Sequence, residues 1–416
     1  MKRKLRRISS ILFRSCNLFF CWKPKPSQNN GEKLRSAASQ YFLFDQPTAV
    51  RASVKILALI IWPFNAVRLV LLWNFRFAAT VKKENGVGFL RQFVEPMRLA
   101  WSEFIHPRYY YLFRLFDKER LDRRGEYFLQ RNTSGLFHAL NAFESGDLIN
   151  DKSRFADFCC KKDIPTPITF ALFENGTTIL KEKQEVWQET DVVVKPIAGH
   201  MGRGIHFGYA EGGGRYKYRG KSLHVKELFK LLSEESHAES LLLQKRLHNH
   251  PDLRRLSNEY LVTIRMVTYM DSDTPHFLGA LLRLPYDEIT ISNHGWILPL
   301  DAETGRILST PILPLLPEIK EKYIKAGELS IGNVIPFWKE SKKLVLKTHR
   351  LLPEYFSLGW DVAIGEDGPF ILEANINWGI ENLQLFHDCP LGNTEFANCA
   401  VEKLNLLNES AKRPRS

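Results

Sequence analysis

The sequence predicts a mixed α and β (α+β) protein with a helical, basic N-terminal region. Its 416 residues are 44% hydrophobic and 25% charged. This ordinary globular composition excludes wholesale disorder, collagen-like repeats and a polytopic membrane protein. From about residue 100, strand-like runs alternate with helical runs, and a tight-turn signal at Asp367-Gly368 joins two of the strand-like runs. The length leaves room for two or three packed units.

The basic charge lies in the N-terminal quarter. Residues 1–100 hold 18 lysines and arginines against four acids, whereas the other 316 residues hold 40 bases and 42 acids. A nucleic-acid enzyme usually places its bases around the working cleft, so we expect no nucleic-acid partner. None of the six cysteines has the CxxC spacing of a zinc site. So few cysteines in so long a chain suit a reducing compartment such as the cytoplasm.

We interpret residues 1–45 as a basic, flexible arm. Residues 2–25 carry eight bases and no acid, interleaved with apolar side chains. No unbroken apolar run and no small-residue cleavage site marks a secretory signal. Two interpretations stay open, an amphipathic arm on an anionic membrane and a solvated tail.

Residues 46–118 are predicted to form a helical, apolar and basic region near a membrane. Within it, residues 56–73 come closest to a transmembrane span. Pro63, Asn65 and Arg68 fall in the middle, where an arginine costs about 2.5–3.5 kcal/mol on insertion scales. We therefore favour a helix that lies on a membrane or packs on the rest of the protein.

The next elements are helical. The aromatic side chains between residues 101 and 130 lie in a run with helical character, which indicates core rather than a ligand site. Residues 151–162 form a predicted helix that Asp151 suits as N-cap and that the IPTP run at 164–167 ends.

A glycine-rich segment, IAGHMGRG at 197–204, follows the predicted strand at 192–194 and Lys195. Its glycines allow a tight turn and leave peptide N–H groups free to hold phosphate oxygens. Neither a P-loop nor a dinucleotide fingerprint fits, because a strand at 205–208 follows instead of a helix. The segment predicts either a hairpin flap over phosphates, with Lys195 at its base, or a plain glycine-rich hairpin.

The strongest chemical signal is GWDVAIGEDGPFILEANINWG at 359–379. Antiparallel pairing about Asp367 puts Asp361 opposite Glu373, and Asn375 shares the face of Glu373. Two opposed carboxylates repel unless a cation lies between them. Two acids and an amide oxygen suit Mg²⁺ bound together with substrate phosphates. The apolar neighbours argue against a solvated acidic edge.

Two further predicted strands carry arginines. Arg265 alternates with Thr263 within residues 259–270, and Arg283 follows an apolar run within 276–285. An arginine in such a strand must find an anion or point to solvent. Recognition of a phosphate or carboxylate and a structural salt bridge stay open for each.

Taken together, these segments resemble the ATP-grasp enzymes, specifically the sugar-transfer-associated ATP-grasp family. The resemblance covers about residues 120–400 and rests on the order and spacing of eight runs. They are DK at 151–152, IPTP at 164–167, VVVKPIAGHMGRGI at 192–205, LLLQKRLHNHPDLRRL at 241–256, TIRMVTYM at 263–270, LLRLP at 281–285, GWDVAI at 359–364 and GPFILEANINWG at 368–379.

The resemblance implies an ATP-grasp fold over residues 119–405, in which two α+β subdomains grip ATP, with a flap subdomain at about 170–240. We expect residues 406–416 to be a disordered tail. Lys152 and Lys195 would hold ATP phosphates. The flap glycines would be Gly199, Gly202 and Gly204, and the stretch that meets adenine would include Gln244, Lys245 and Leu247.

The resemblance also implies a metal site and catalytic cations. Asp361, Glu373 and Asn375 are similar to the family's Mg²⁺ ligands. Arg265 and Arg283 resemble cations that hold the γ-phosphate or an acyl phosphate. The chain departs from the family pattern twice. Gln244 stands where many ATP-grasp enzymes carry a glutamate, and Ser292-Asn293 lies where an Asp-Asn pair is expected.

The resemblance implies an ATP- and Mg²⁺-dependent carboxylate–amine ligase that works through an acyl phosphate. Its partners would be an amine donor and a small-molecule or glycan carboxylate, such as a sugar acid in surface polysaccharide biosynthesis. Residues 1–80 would contact the inner membrane from the cytoplasm. Two alternatives stay open, a kinase that phosphorylates a sugar or polyol hydroxyl and a non-enzymatic scaffold.

Overall fold

Two antiparallel sheets, joined by a short linker, form the centre of the protein. A computed structural model describes residues 29–40, 47–129, 135–137, 140–141, 148–182, 189–197, 204–257, 260–285, 295–310, 315 and 317–412. The arm before residue 29, Gly199, Gly202 and the Ser292-Asn293 pair lie outside the described residues. The expectations for them therefore stay predictions.

The N-terminal region is helical, as predicted. Its helices are α1 (Asn30–Gln40), α2 (Thr48–Asn85), α3 (Phe89–Glu103), α4 (Pro107–Leu112) and α5 (Lys118–Asp122), followed by a 3-10 turn at Arg124–Glu126. Helices α2 and α3 run antiparallel. The Trp62 indole N–H donates to the Ala100 carbonyl (2.8 Å), and the Gln92 amide donates to the Ala78 carbonyl (3.1 Å). Residues 56–73 lie within α2, which continues through Pro63.

Two expectations about the chain ends need correction. The flexible arm predicted for residues 1–45 is wrong over α1, because Leu34 and Ala38, one turn apart, are buried in the core. The Arg35 guanidinium also donates to the Arg124 and Gly125 carbonyls (both 3.0 Å). The disordered tail predicted from residue 406 is wrong as far as residue 412, because the last helix continues to that point.

Most of the aromatic residues between 101 and 130 are core, as predicted, but Trp101 is exposed. Six of them pack into one cluster, namely Tyr109, Tyr110, Tyr111, Phe113, Phe116 and Tyr127. The backbone there forms short helical pieces instead of one continuous helix. Left-handed residues at Phe104 and Arg114 interrupt it, a conformation that ends helices.

The first sheet begins after helix α6 (Lys152–Lys161), which Asp151 caps as predicted by accepting from the Ser153 and Arg154 N–H groups (2.9 and 3.1 Å). Its elements are β1 (Thr169–Glu174), β2 (Thr177–Leu180), β3 (Val192–Pro196), β4 (His206–Gly212), β5 (Arg215–Tyr218), β6 (Lys221–His224), α7 (Val225–Glu235) and β7 (Leu241–Lys245). The strand order is β2-β1-β7-β3-β4-β5-β6. Helix α7 packs on one face, through Val225, Leu228 and Leu232.

The second sheet has the order β10-β9-β8-β11-β12. Its part of the chain contains α8 (Pro251–Ser257), β8 (Thr263–Asp271), β9 (Thr274–Leu284), β10 (Trp296–Leu300), α9 (Pro317–Ser330), α10 (Trp338–Arg350), β11 (Ser357–Gly365), β12 (Gly368–Asn375), α11 (Ile380–His387), a 3-10 turn at Leu391–Asn393 and α12 (Glu395–Lys412). This sheet carries the largest apolar core.

The linker at residues 246–250 fastens the first sheet to the second. The Asn249 side chain accepts from the Val262 N–H (2.8 Å) and donates to the Tyr260 carbonyl (2.6 Å). The His250 N–H donates to the Ile364 carbonyl (2.8 Å) on β11. The linker thereby places the end of β7 beside the strands that carry the predicted acids.

Candidate functional site

A row of charged side chains crosses the second sheet. Asp361 on β11 lies opposite Arg265 on β8 and opposite Glu373 on β12. The predicted pairing of the two acids is therefore confirmed. The hairpin itself turns half a residue earlier than predicted, between Gly365 and Gly368. A β-bulge between Asp361 and Val362 restores the predicted register at the acids, because it inserts one extra residue in β12.

Asp361 is the fixed anion of the site. The Arg265 guanidinium holds it with two hydrogen bonds, Nε to Oδ1 (2.6 Å) and Nη2 to Oδ2 (3.2 Å), and Arg283 Nη1 approaches Oδ1 at 3.4 Å. Burial alone raises the pKa of a carboxyl, but the two guanidiniums outweigh it and lower the pKa of Asp361 to about 2. Asp361 is thus ionised at neutral pH.

Glu373 has the opposite electrostatics. Burial raises the pKa of its carboxyl, and the neighbouring Asp361 charge raises it further. The Asn375 amide nitrogen donates to Glu373 Oε1 (3.2 Å), and Glu373 pairs with Asp361, so all three predicted ligands lie together where the end of β12 meets the middle of β11. A cation beside Glu373 would stabilise the ionised form of its carboxyl group.

The donor set fits Mg²⁺. It consists of two carboxylates and an amide, which supply the hard oxygen ligands that this ion prefers. Over the part of the chain that the structure describes, no group of three His, Cys, Asp or Glu side chains converges. One or two carboxylates together with substrate phosphates are a usual coordination of this ion.

Arg283 and Thr263 form a second row beside the acids. They lie directly opposite each other on β9 and β8, on the face that carries Arg265. Burial and the Arg265 charge lower the pKa of Arg283 to about 10, against the attraction of Asp361. Thr263 is 6% exposed, and its hydroxyl has no hydrogen-bond partner among the described residues. Sequence reasoning missed Thr263 as a site residue, although its alternation with Arg265 was a usable signal.

The two predicted lysines lie on different elements but face the same acid. Lys195 is on β3 and Lys152 is in the first turn of α6, and both interact electrostatically with Glu373. Burial lowers the pKa of Lys195 to about 8, and Lys152 adds to this while Glu373 opposes it. The Lys152 ammonium also donates to the Ile197 carbonyl (3.4 Å).

The predicted flap hairpin is present at its base. Strands β3 and β4 pair antiparallel, with Val192 opposite Gly208. Gly204 has a φ of 76°, and a Cβ added there would lie 2.8 Å from Pro196 Cγ. The loop therefore returns past Pro196 in a conformation that favours glycine.

The predicted adenine stretch lies at the end of β7. Gln244 is buried opposite Val193, and its amide nitrogen donates to Thr169 Oγ1 (2.9 Å). This bond leaves the amide oxygen as the acceptor of the side chain, in the place of the usual glutamate. Lys245 is exposed and Leu247 is half-buried.

The opposite face of the first sheet borders this stretch. Leu172, Leu242 and Ile197 form a small apolar cluster there, away from the face that α7 covers. Arg246 stacks over Phe207 and Tyr209, with its guanidinium carbon 5.0 and 4.8 Å from the ring centres. An apolar surface beside a polar edge suits a planar heterocycle.

Gly359 and Trp378 were not recognised as site residues, although both stand within the acid motif at 359–379. A Cβ on Gly359 would lie 2.1 Å from Trp378 Cβ and 3.1 Å from Arg265 Cδ. The Trp378 carbonyl in turn accepts from Arg265 Nη1 (2.9 Å). Glycine at 359 therefore permits the contact that holds Arg265 in place.

Comparison with known proteins agrees with this geometry. A family model described as sugar-transfer associated ATP-grasp matches residues 131–395. The two sheets and the acid–arginine row thus define an ATP-grasp protein. The chain belongs to the sugar-transfer-associated ATP-grasp family. A search of the curated proteins gives no match.

Solved structures give more distant likenesses. D-alanine–D-alanine ligase from Bacillus anthracis, complexed with ATP, is 11% identical, with 63% of this chain and 68% of that chain covered and a TM-score of 0.37. D-cycloserine synthetase DcsG is 12% identical, with 64% and 73% covered and a TM-score of 0.37. N5-carboxyaminoimidazole synthetase from Staphylococcus aureus, complexed with ADP, is 10% identical, with 59% and 52% covered and a TM-score of 0.32. The family assignment rests on the family model and not on these likenesses.

Proposed function

We propose that this protein is an ATP- and Mg²⁺-dependent carboxylate–amine ligase that works through an acyl phosphate. The observation that carries the proposal is the charge of the site. Four cations, Arg265, Arg283, Lys152 and Lys195, surround two acids. A surplus of buried positive charge is costly unless an anion binds, and a triphosphate or an acyl phosphate supplies that anion.

The residues divide the work by position. Lys152 and Lys195 bind phosphate oxygens from the side of the first sheet. Arg265, held by Asp361 and the Trp378 carbonyl, presents a fixed positive charge to the transferring group and needs no reorganisation during the reaction. Asp361, Glu373 and Asn375 would hold Mg²⁺, which neutralises phosphate charge when bound.

The chemistry requires no nucleophilic side chain. An oxygen of the substrate carboxylate attacks the γ-phosphorus, a P–O bond forms, the bond to the bridging oxygen breaks, and ADP leaves. The amine nitrogen then attacks the acyl carbon. The C–N bond forms, the C–O bond to phosphate breaks, and the amine proton leaves with the phosphate. The buried site protects the acyl phosphate from water.

We propose a sugar acid or glycan precursor of surface polysaccharide as the carboxylate. Support comes from the description of the family as sugar-transfer associated. A cytoplasmic protein peripheral on the inner membrane, with contact through residues 1–80, fits this role. The concentration of positive charge in the first 100 residues supports that location.

The proposal is tested with purified protein, Mg·ATP, a cell extract as substrate pool and hydroxylamine as surrogate amine. We expect ADP and a hydroxamate, because hydroxylamine traps an activated carboxylate. A phosphorylated product without hydroxamate would establish the kinase alternative instead. Failure to bind Mg·ATP would overturn the nucleotide site itself.

The matched variants lie on one hairpin. Glu373→Gln removes a proposed ligand, so we expect Mg²⁺-dependent ADP formation to fall by about 100-fold or more. Glu366→Gln changes an exposed acid at the turn, paired only loosely with Arg254 (3.3 Å), and serves as the control. Full activity of Glu373→Gln would leave the scaffold alternative standing.

A further inference from the structure

An exposed apolar stripe runs along α2. It comprises Ile56, Ile60, Phe64, Leu71 and Phe75. Their spacing of four or seven residues places them on one helix face, and they span about 28 Å at 1.5 Å per residue. Phe64 is 77% exposed and Phe75 is 95% exposed. A row of large apolar side chains in water is unfavourable and marks a binding surface.

Helix α3 extends this surface. Its exposed apolar residues Leu90, Val94 and Trp101 lie on one helix face. The Trp101 indole N–H donates to the Pro63 carbonyl of α2 (3.4 Å). This contact joins the exposed ring to the residue that precedes Phe64, so the two helices share one apolar surface, which we term the α2–α3 face.

The remaining sides of the two helices are fixed to the protein. Trp62, Ala66 and Leu69 of α2 are buried against Ala100 of α3. Lys320 of α9 bonds Glu84 at the end of α2 (2.9 Å). Within the described part of the chain, the packed side and the exposed side of α2 are thus distinct, and no described residue covers the exposed side.

The charges near this face select an anionic partner. Helix α2 carries six bases and one acid, and that acid is paired with Lys320. The bases are Arg51, Lys55, Arg68, Arg76, Lys82 and Lys83. The N-terminal arm is itself basic, with no acid between residues 2 and 25, so it offers these bases no acidic partner. Apolar side chains with flanking bases match an anionic lipid surface.

We infer that the α2–α3 face docks on an anionic membrane with both helices lying in the plane of the interface. This deepens the membrane contact proposed above and moves it to residues 56–101. By length and composition α2 is also able to cross a membrane. Arg68, midway along the stripe and bonded to Asn65 Oδ1 (2.9 Å), would then lie at the bilayer centre. In the interface the same guanidinium reaches the headgroups.

The test measures sedimentation of the full-length protein with vesicles of phosphatidylcholine alone and of phosphatidylcholine with phosphatidylglycerol. We expect binding to the anionic vesicles, weakened by salt. Phe64→Glu and Phe75→Glu should each reduce the bound-to-free ratio by roughly tenfold, because a phenyl ring leaves the interface. Leu180→Glu, on the edge strand β2 and 57% exposed, is the matched control and should bind like the wild type.

Three outcomes would overturn the inference. Wild-type binding by the Phe64→Glu, Phe75→Glu double variant would assign binding to the N-terminal arm. Self-association of the wild type without vesicles, lost in the double variant, would show that a second copy covers the face. Retention of the native protein in membranes after alkaline carbonate extraction would indicate a span. The double substitution should not change ADP formation measured without vesicles. If the wild type formed no ADP, only the proposed chemistry would be contradicted, and the membrane inference would stand.

Discussion

The buried Thr263 hydroxyl, which has no hydrogen-bond partner among the described residues, indicates that the site binds a ligand. A buried hydroxyl without a partner costs about 1–3 kcal/mol, and this one lies opposite a buried arginine. We expect Thr263→Val to leave the ligand-free protein equally or more stable, because the orphan hydroxyl is removed without a cavity. ADP formation should fall by roughly tenfold, in proportion to one hydrogen bond to a charged group. Thermal unfolding and ADP release measure the two effects.

Thr263→Ser is the conservative control, because it keeps the hydroxyl and should keep most of the activity. A Thr263→Val variant that is less stable and fully active would assign the residue to packing alone.

The pKa of Lys195 makes nucleotide binding depend on pH. Burial lowers it from the ordinary 10.5 to about 8, so the lysine loses its proton from the ligand-free protein as the pH rises through that value. Since phosphate binds the protonated form, the dissociation constant of Mg·ATP should stay level below pH 8 and rise by up to tenfold per pH unit above it. Calorimetric titration across this range measures the effect.

The lowered pKa of Lys195 also makes the stability of the folded protein depend on pH. Between about pH 8 and 10.5 the unfolded chain binds more protons at this residue than the folded protein, so this group makes stability rise with pH in that window. Lys195→Arg keeps its charge throughout and should bind Mg·ATP with a flat pH profile, although less tightly. If Mg·ATP binding by Lys195→Arg depended on pH as it does in the wild type, Lys195 would be excluded as the titrating group.

At the scale of elements, the hairpin of β11 and β12 depends on the glycine at 359. We expect Gly359→Ala to lower stability by about 1–3 kcal/mol, because its Cβ would overlap Trp378 and press on Arg265. Displacing Trp378 also removes the carbonyl that holds Arg265, so ADP formation should fall as well. Denaturant unfolding and ADP release are the measurements. Gly88→Ala, whose Cβ meets open space, is the control.

The hairpin of β11 and β12 was predictable from the sequence only in part. Periodicity and a turn signal were enough to pair Asp361 with Glu373, because both are local. The bulge was not predictable, because the consecutive apolar residues Phe370, Ile371 and Leu372 suit either face and conceal a shift of one residue in the alternation. Helix α1 was missed for a different reason. Its buried apolar residues Leu34 and Ala38 are few, and the helix meets residues 125 and 392, far away in the chain, through Gly31.

For the whole molecule, the N-terminal helices and the second sheet are joined by buried and partly buried polar contacts. Glu381 on α11 accepts from Arg108 Nη2 (2.7 Å) and from the Tyr109 hydroxyl on α4. Arg120 binds Asp388, and the Gln384 side chain pairs with the backbone of Phe128. Since each contact joins residues more than 250 positions apart, none was visible as a sequence motif.

These contacts predict that the N-terminal helices stabilise the site. Helix α11 begins five residues after Asn375, and the intervening segment supplies the Trp378 carbonyl to Arg265. Glu381→Ala leaves an arginine and a tyrosine hydroxyl without their acceptor, so we expect a loss of about 1.5–3 kcal/mol. ADP formation should fall too, because α11 loses its anchor.

Asp157→Ala is the control, because it breaks the exposed pair with Lys181 and should change stability by less than about 0.5–1 kcal/mol. Guanidinium unfolding followed by tryptophan fluorescence compares the variants. An early separate transition of the N-terminal helices in Glu381→Ala, with the site still active, would show that the two parts are only loosely coupled.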